Sequence, residues 1–182
     1  MQQRLLFLGP PGAGKGTQAK ILCKKQDLLH LSTGDLLRAE VAASSSLGLQ
    51  AAEVMNKGEL VSDSLVLSIV EQRLSLHQHG WLLDGFPRNV SQAKSLEGLL
   101  ISSDQLIEAV ILMELDDEVL IQRLLARGRA DDNESVIRHR LDVYRDQTAP
   151  LISHYRTKGL LQSVAAHGSV EEITRSIQGL LS

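Results

Sequence analysis

Cysteine is nearly absent from this sequence, since the 182 residues contain only Cys23. A lone cysteine excludes an internal disulfide and a four-cysteine zinc site. The histidines offer no metal-ligand spacing either, because His77 and His79 are two positions apart and no cysteine is near them. We therefore expect no structural zinc, and we expect Cys23 to be a small buried hydrophobic residue in the first helix.

Excess positive charge and long apolar runs are also missing. The 19 lysines and arginines against 22 acidic residues give a formal net charge of −3, which argues against a broad basic surface for nucleic acid. No apolar run approaches the roughly 20 residues of a membrane span. The N-terminus leads straight into a predicted strand without the pattern of a signal peptide. These absences predict one soluble cytoplasmic domain with no nucleic-acid or membrane partner.

A glycine-rich loop between a strand and a helix is the first feature that is present. Residues 5–8 form an apolar run, residues 9–15 read GPPGAGK, and a helix-compatible segment follows. This is the context that the P-loop pattern requires, in which backbone N–H groups and a helix N-terminus hold phosphates and Lys15 adds an ammonium group. Gly16 departs from the pattern, because the hydroxyl comes one position later at Thr17. A glycine-rich turn that binds nothing is the alternative.

Apolar strands alternate with helical segments along the whole chain. The predicted strands are residues 5–8, 28–31, 80–84, 107–115 and 160–164. The predicted helices are residues 15–26, 36–41, 47–57, a segment capped by Ser62 or Asp63, 90–99, a segment capped by Asp116 or Asp117, a long stretch after Asn133 that is interrupted near Pro150, and 169–181. This alternation predicts an α/β fold with a doubly wound sheet of about five parallel strands and helices on both faces. Residues 32–61 contain short helices and no strong strand, which indicates a helical insert.

Arginines indicate the class of reaction. Seven of them, spread over four segments beyond the first strand, are Arg38, Arg88, Arg123, Arg127, Arg129, Arg138 and Arg140. Phosphoryl transfer depends on positioning and on neutralising charge, and planar guanidinium groups suit phosphate oxygens well. A P-loop with this set of arginines therefore favours a phosphotransferase. No Asn-Lys-x-Asp element for reading guanine is present, which disfavours a P-loop GTPase.

Four ordered motifs resemble adenylate kinase of the nucleoside-monophosphate kinase family. They read GPPGAGKGTQ at 9–18, STGDLLR at 32–38, LDGFPR at 83–88 with Gln92, and GRADDN at 128–133. The resemblance covers essentially the whole chain and includes Gly16, because GKGT is this family's form of the loop. It implies a monomer that reversibly transfers the γ-phosphoryl group of ATP to AMP with Mg²⁺, giving two ADP. It also implies a single domain over 1–182, with an AMP-binding insert at about 32–61 and a short lid at about 127–133.

The resemblance further implies a role for each matching residue. The catalytic residues would be Lys15, Arg88, Arg127, Arg129 and Arg140. ATP would be held by Gly12, Ala13, Gly14, Lys15, Gly16, Thr17, Arg123, Arg127 and Gly168. AMP would be held by Thr33, Arg38, Glu59, Leu60, Val61, Gly85, Phe86, Pro87, Arg88, Gln92, Arg129 and Arg140. Asp84 would orient the water ligands of Mg²⁺, and Asp131 and Asp132 would help to hold a closed lid.

The lid departs from the longer forms of this family. Only three residues separate Arg127 from Asp131, so we expect neither a zinc-binding lid nor a β-rich one. Even the usual short lid of the family has a few more residues between its two arginines.

The acceptor nucleotide is indicated by two side chains. Thr33 and Gln92 can offer hydrogen bonds to the edge of adenine, and a site with such groups rejects bases that leave them unpaired. The related pyrimidine-monophosphate kinases tend to have alanine and asparagine at these positions. We therefore expect AMP as acceptor, with a UMP/CMP kinase as one alternative. A catalytically silent nucleotide sensor is another, which the intact Lys15 and arginine set disfavours.

Overall fold

A five-stranded parallel sheet forms the centre of the molecule. A computed structural model describes residues 4–75 and 79–181, so His77 lies outside the described residues. The strands are β1 (Arg4–Leu8), β2 (Leu29–Ser32), β3 (Trp81–Asp84), β4 (Ala109–Glu114) and β5 (Leu161–Ala165). Their order is β2-β3-β1-β4-β5, and every neighbouring pair is parallel. The predicted doubly wound α/β fold is confirmed, and the strand ends differ from the predicted ones by at most two residues.

Two hydrophobic layers cover the two faces of this sheet. Leu5 and Phe7 of β1 point into one layer and Leu6 and Leu8 into the other, because successive side chains of a strand face opposite sides. All four are almost completely buried. Cys23 is buried in the first layer, as predicted.

Nine α-helices lie within the described residues. They are α1 (Lys15–Gln26), α2 (Thr33–Ala42), α3 (Ser46–Asn56), α4 (Asp63–Ser75), α5 (Val90–Ser102), α6 (Asp117–Arg127), α7 (Glu134–Val143), α8 (Pro150–Thr157) and α9 (Val170–Leu180). None of these described helices combines the length and the apolarity that crossing a bilayer requires.

Two helix boundaries differ from the sequence prediction. Helix α2 begins at Thr33, three residues earlier than predicted, because Ser32 acts as its N-cap and accepts a hydrogen bond from the N–H of Asp35. The expected interruption near Pro150 lies before it, where Tyr144–Thr148 form a π-helical turn between α7 and α8. Pro150 itself is the first residue of α8, a position where its missing N–H costs no hydrogen bond.

Candidate active site at the carboxyl ends of the strands

Two adjoining cavities lie at the carboxyl edge of the sheet, where ligands of doubly wound folds bind. The larger one, about 480 Å³, has the size of a nucleotide site. The predicted site residues along it are Gly12, Ala13, Gly14, Lys15, Gly16, Thr17, Arg38, Leu60, Asp84, Gly85, Pro87, Arg88, Arg123, Arg127, Arg129, Arg140 and Gly168. The smaller cavity adds Thr33, Glu59, Val61, Phe86 and Gln92, and it shares Arg38, Leu60, Gly85, Arg88 and Arg140 with the larger one. Every residue predicted to be catalytic, to bind ATP or AMP, or to orient the water ligands of Mg²⁺ therefore lines one cavity or both, while their roles stay predictions.

The glycine loop packs tightly between β1 and α1. Gly12 has a φ of +87°, and a Cβ on it would stand 2.9 Å from the side chain of Leu124, so only glycine fits there. The Nζ atom of Lys15 donates hydrogen bonds to the carbonyls of Gly9 at 2.8 Å and Pro10 at 3.0 Å. Burial lowers the pKa of Lys15 to about 8, against the opposing effect of Asp84. The ammonium group thus lies on the loop that would hold phosphates.

Asp84 is the last residue of β3 and is 7% exposed. Its Oδ2 atom faces the loop, because a Cβ on Gly16 would stand 3.4 Å from it. The Nε2 atom of His30 is buried 3.8 Å from the same oxygen and has no hydrogen-bond partner among the residues that the structure describes.

A magnesium ion would find few protein ligands near Asp84. Among the described residues, no group of three or more histidine, cysteine, aspartate or glutamate side chains could hold a metal ion. Mg²⁺ in phosphate-transfer sites is usually bound through one or two carboxylates, several waters and the substrate phosphates. A single buried carboxylate facing a phosphate loop fits that donor set.

Asp132 organises the arginines of the short segment between α6 and α7. Its fully buried carboxylate accepts two hydrogen bonds from Arg127, at 2.6 and 2.7 Å, and one from the N–H of Arg129 at 3.1 Å. Arg140 donates to Asp131 and to Asp132, both at 3.3 Å. Burial alone would raise the pKa of Asp132, but the bonds from Arg127 and Arg129 outweigh it and lower that pKa. The carboxylate of Asp132 therefore stays charged and holds the guanidinium groups of Arg127 and Arg140 in place.

Arg88 is held by its backbone and by one side-chain atom. Its N–H donates to Oε1 of Gln92 at 2.6 Å, its carbonyl accepts from the hydroxyl of Thr148 at 2.6 Å, and its Nε donates to the carbonyl of Gly85 at 2.8 Å. Burial, helped by the positive charge of Arg140, lowers the pKa of Arg88 to about 10. The side chain remains positively charged at neutral pH.

Two further predicted residues, Arg123 and Glu59, contact residues from other segments of the chain. Arg123 donates to the carbonyl of Ala166 at 3.1 Å, two residues before Gly168, and both Arg123 and Gly168 line the larger cavity. The side chain of Glu59 contacts Nε2 of His139 at 2.7 Å, so the connection between α3 and α4 touches α7. The sequence analysis found only that the histidines lack metal-ligand spacing, and it did not predict this contact.

Three further side chains belong to the site but were given no binding role by the sequence. Asp35 pairs with Arg38 and lies 3.9 Å from Arg129, and it could have been found because it lies within the STGDLLR motif. Asp63 contacts Gln92, and Thr148 contacts Arg88, each from a distant segment of the chain. No local sequence signal points to these contacts.

Comparisons with known proteins agree with this geometry. The family model described as "Adenylate kinase" matches residues 7–160. The chain is 68% identical over 183 residues to a protein named "Adenylate kinase" from Synechococcus sp. (strain CC9311), with both chains fully covered. It is 67% identical over 178 residues to a protein of the same name from Prochlorococcus marinus (strain MIT 9313), with 98% of both chains covered. A third, from Synechococcus sp. (strain RCC307), is 63% identical over both complete chains.

Proposed function

The chain belongs to the adenylate kinase family, and we propose how its cleft carries out the reversible transfer of a phosphoryl group from ATP to AMP. The observation that carries the proposal is the pair of adjoining cavities that share Arg88 and Arg140. One cavity contains the phosphate-binding loop and the other contains Gln92. Two nucleotides bound in them would meet with their phosphates at the shared arginines.

The residues of the larger cavity would hold ATP. Amides of residues 12–17 and the N-terminus of α1 would bind its phosphates, while Arg123 and Gly168 would lie beside its base. Magnesium bound to ATP would supply positive charge next to the phosphates. Asp84 would hold the water ligands of that ion, because its carboxylate faces the loop.

The smaller cavity would hold AMP. Thr33 and Gln92 are only 3% and 2% exposed, so hydrogen bonds from the base to them would be well shielded from water. Arg38 and Arg88 lie where the two cavities join, so they would bind the AMP phosphate. Unpaired polar groups would remain if a pyrimidine replaced adenine, which favours AMP over UMP and CMP.

Transfer itself would need no general base, because the attacking oxygen of AMP is already negatively charged. Lys15, Arg88, Arg127, Arg129 and Arg140 would neutralise the charge on the transferring group. We further propose that residues 32–61 and 127–133 close over the two nucleotides, which would keep water away from the phosphoryl group. A monomer would suffice, since one chain supplies every predicted site residue. Its monomeric state and its cytoplasmic location stay predictions.

Replacing Arg88 tests this mechanism. We expect Arg88→Ala to lower kcat by about 10³-fold, because a transition-state arginine contributes on that order. The measurement is steady-state ADP formation from ATP and AMP, with and without Mg²⁺, and with UMP or CMP in place of AMP. Arg138→Ala is the matched control, since Arg138 pairs with Glu134 on the exposed face of α7. Near-native turnover of Arg88→Ala would refute the role of this residue.

A further inference from the structure

Asp63 makes a contact that neither the sequence motifs nor the proposed chemistry uses. It is the first residue of α4, and its Oδ1 atom accepts a hydrogen bond from Nε2 of Gln92 at 2.7 Å. We propose that Asp63 is a positioning residue that fixes the amide orientation of Gln92 and thereby selects a 6-amino purine as the acceptor base. This inference rests on the proposed function, in which Gln92 faces the base of AMP.

The orientation of the Gln92 amide is set by two neighbours. Oε1 faces the backbone N–H of Arg88 at 2.6 Å, and Nε2 faces the carboxylate of Asp63. A backbone N–H can only donate a hydrogen bond, and an ionised carboxylate can only accept one. A flipped amide would bring NH₂ against the N–H and oxygen against the carboxylate. Both neighbours therefore select the same orientation.

Two hydrogen-bonding positions of Gln92 remain for a ligand. The amide carries two N–H donors and two acceptor lone pairs, and Asp63 and Arg88 each occupy one. Within the part of the chain that the structure describes, this leaves one N–H and one lone pair on a residue that is 2% exposed and lines the smaller cavity. This is a donor and an acceptor in a fixed order.

That fixed order distinguishes the purines. Adenine has an amino donor at position 6, while guanine has an oxygen acceptor there. The neighbouring ring nitrogen N1 changes in the opposite sense, from acceptor in adenine to donor in 6-oxo purines. The remaining lone pair and N–H of Gln92 match the 6-amino arrangement, whereas a flipped amide would match the 6-oxo arrangement. A side chain that prevents the flip therefore contributes to the choice of base.

A purely structural role for Asp63 predicts different behaviour. An acid in the first turn stabilises a helix through the helix dipole, and that effect requires no contact with Gln92. Losing it would lower the stability of the protein without changing which base is used. Kinetics with two acceptors separate these roles, and thermal unfolding of each variant monitors the structural one.

The experiment compares four variants with AMP and IMP as acceptors at saturating ATP, and KM for ATP is measured separately at saturating AMP. Asp63→Ala removes the acceptor, and Asp63→Asn keeps an acceptor oxygen in the same place. Asp63→Lys puts a donor opposite Nε2, and Glu71→Ala removes an exposed acid elsewhere on α4 as the control.

We expect Asp63→Ala to raise KM for AMP by roughly three- to tenfold, the effect of one hydrogen bond, with kcat and KM for ATP within about twofold. Its preference for AMP over IMP falls by a similar factor. Asp63→Lys shifts the preference further toward IMP, while Asp63→Asn and Glu71→Ala behave like the unmodified protein.

Three outcomes would overturn the inference. The first is an unchanged KM for AMP and an unchanged base preference in both Asp63→Ala and Asp63→Lys. The second is an equal loss of preference for AMP in Asp63→Asn and Asp63→Ala. The third is a rise in KM for ATP as large as the rise in KM for AMP. Failure of the unmodified protein to make ADP from ATP and AMP would instead refute the proposed function, so the two failures are distinguishable. Should Asp63→Ala not fold, the comparison of Asp63→Lys with Asp63→Asn decides the question.

Discussion

Lys15 shows how burial prepares a single residue for a charged ligand. Its ammonium group lies on the carbonyls of Gly9 and Pro10, and burial lowers its pKa to about 8. Near that pH a substantial fraction of the side chain is neutral in the ligand-free protein. Phosphates of ATP would stabilise the charged form and raise the pKa again. Binding of ATP should therefore be linked to uptake of a proton.

Proton uptake can be measured by titration calorimetry. We expect roughly half a proton to be taken up at pH 8 when a non-hydrolysable ATP analogue binds, falling toward zero at pH 6 where Lys15 is already charged. The measurement compares binding heats in buffers with different ionisation enthalpies. Lys15→Arg is the control, because arginine stays protonated throughout this range. Equal proton uptake by both proteins would exclude Lys15 as its source.

The sequence predicted the site residues that lie within its motifs but missed those that depend on the tertiary fold. Lys15 and Arg88 belong to short motifs whose chemistry can be predicted from the order of their residues alone. Both residues line the larger cavity. Asp63 contacts Gln92 across 29 positions, and Thr148 contacts Arg88 across 60. Such contacts depend on how α4, α5 and the π-helical turn pack together, which no local pattern encodes.

Helices α2 and α3 pack against each other beside the smaller cavity. Gly48 of α3 packs directly on α2, where a Cβ would overlap the backbone of Glu40. Because that neighbour is backbone, it cannot move aside as a flexible side chain could. The separation of the two helices therefore depends on glycine at this position.

Replacing Gly48 tests this packing. We expect Gly48→Ala to lower the free energy of unfolding by about 1–3 kcal/mol through overpacking, and to raise KM for AMP more than KM for ATP, since α2 carries Thr33 and Arg38. Gly98→Ala on α5 is the matched control, because a Cβ there meets nothing within 4 Å. Gly98→Ala should instead raise the free energy of unfolding by about 0.5–1 kcal/mol, because alanine has the higher helix propensity. Chemical denaturation measures the free energy of unfolding of both variants. Equal changes in Gly48→Ala and Gly98→Ala would show that Gly48 does not constrain the packing of α2 and α3.

At the scale of elements, the sequence predicted strands better than helix boundaries. The buried strands of a parallel sheet are continuous apolar runs, and their ends were found to within two residues. The start of α2 was placed three residues too late, because the sequence analysis did not recognise Ser32 as the N-cap that accepts a hydrogen bond from the N–H of Asp35. The π-helical turn at Tyr144–Thr148 was not predicted, since the residues on either side are helical and give no local signal for it.

Carboxylates paired with arginine or lysine connect the stability of the whole molecule to pH. Burial would raise the pKa of Asp35, Glu97 and Asp132, but their hydrogen bonds and cationic neighbours outweigh it and lower all three. In the unfolded chain these groups titrate near pH 4. A lowered pKa in the folded state means that the unfolded chain binds more protons in acid. The resulting stability is complete above the unfolded pKa and is lost as the pH falls through the folded values.

Asp132→Asn tests how much the cluster around Asp132 contributes to this acid dependence. At pH 7 we expect its free energy of unfolding to be lower by about 1–3 kcal/mol, because the charge-assisted bonds from Arg127 and Arg140 are weakened. The deficit should shrink below about pH 4, where the unfolded chain of the unmodified protein takes up a proton at Asp132 that the folded protein binds less readily, so the two stability curves should converge in acid. Asp146→Asn, which alters an exposed carboxylate of the π-helical turn, should follow the unmodified curve throughout. Urea denaturation between pH 3 and pH 7 measures all three proteins. A constant deficit for Asp132→Asn would mean that packing of this residue, and not its charge, stabilises the segment between α6 and α7.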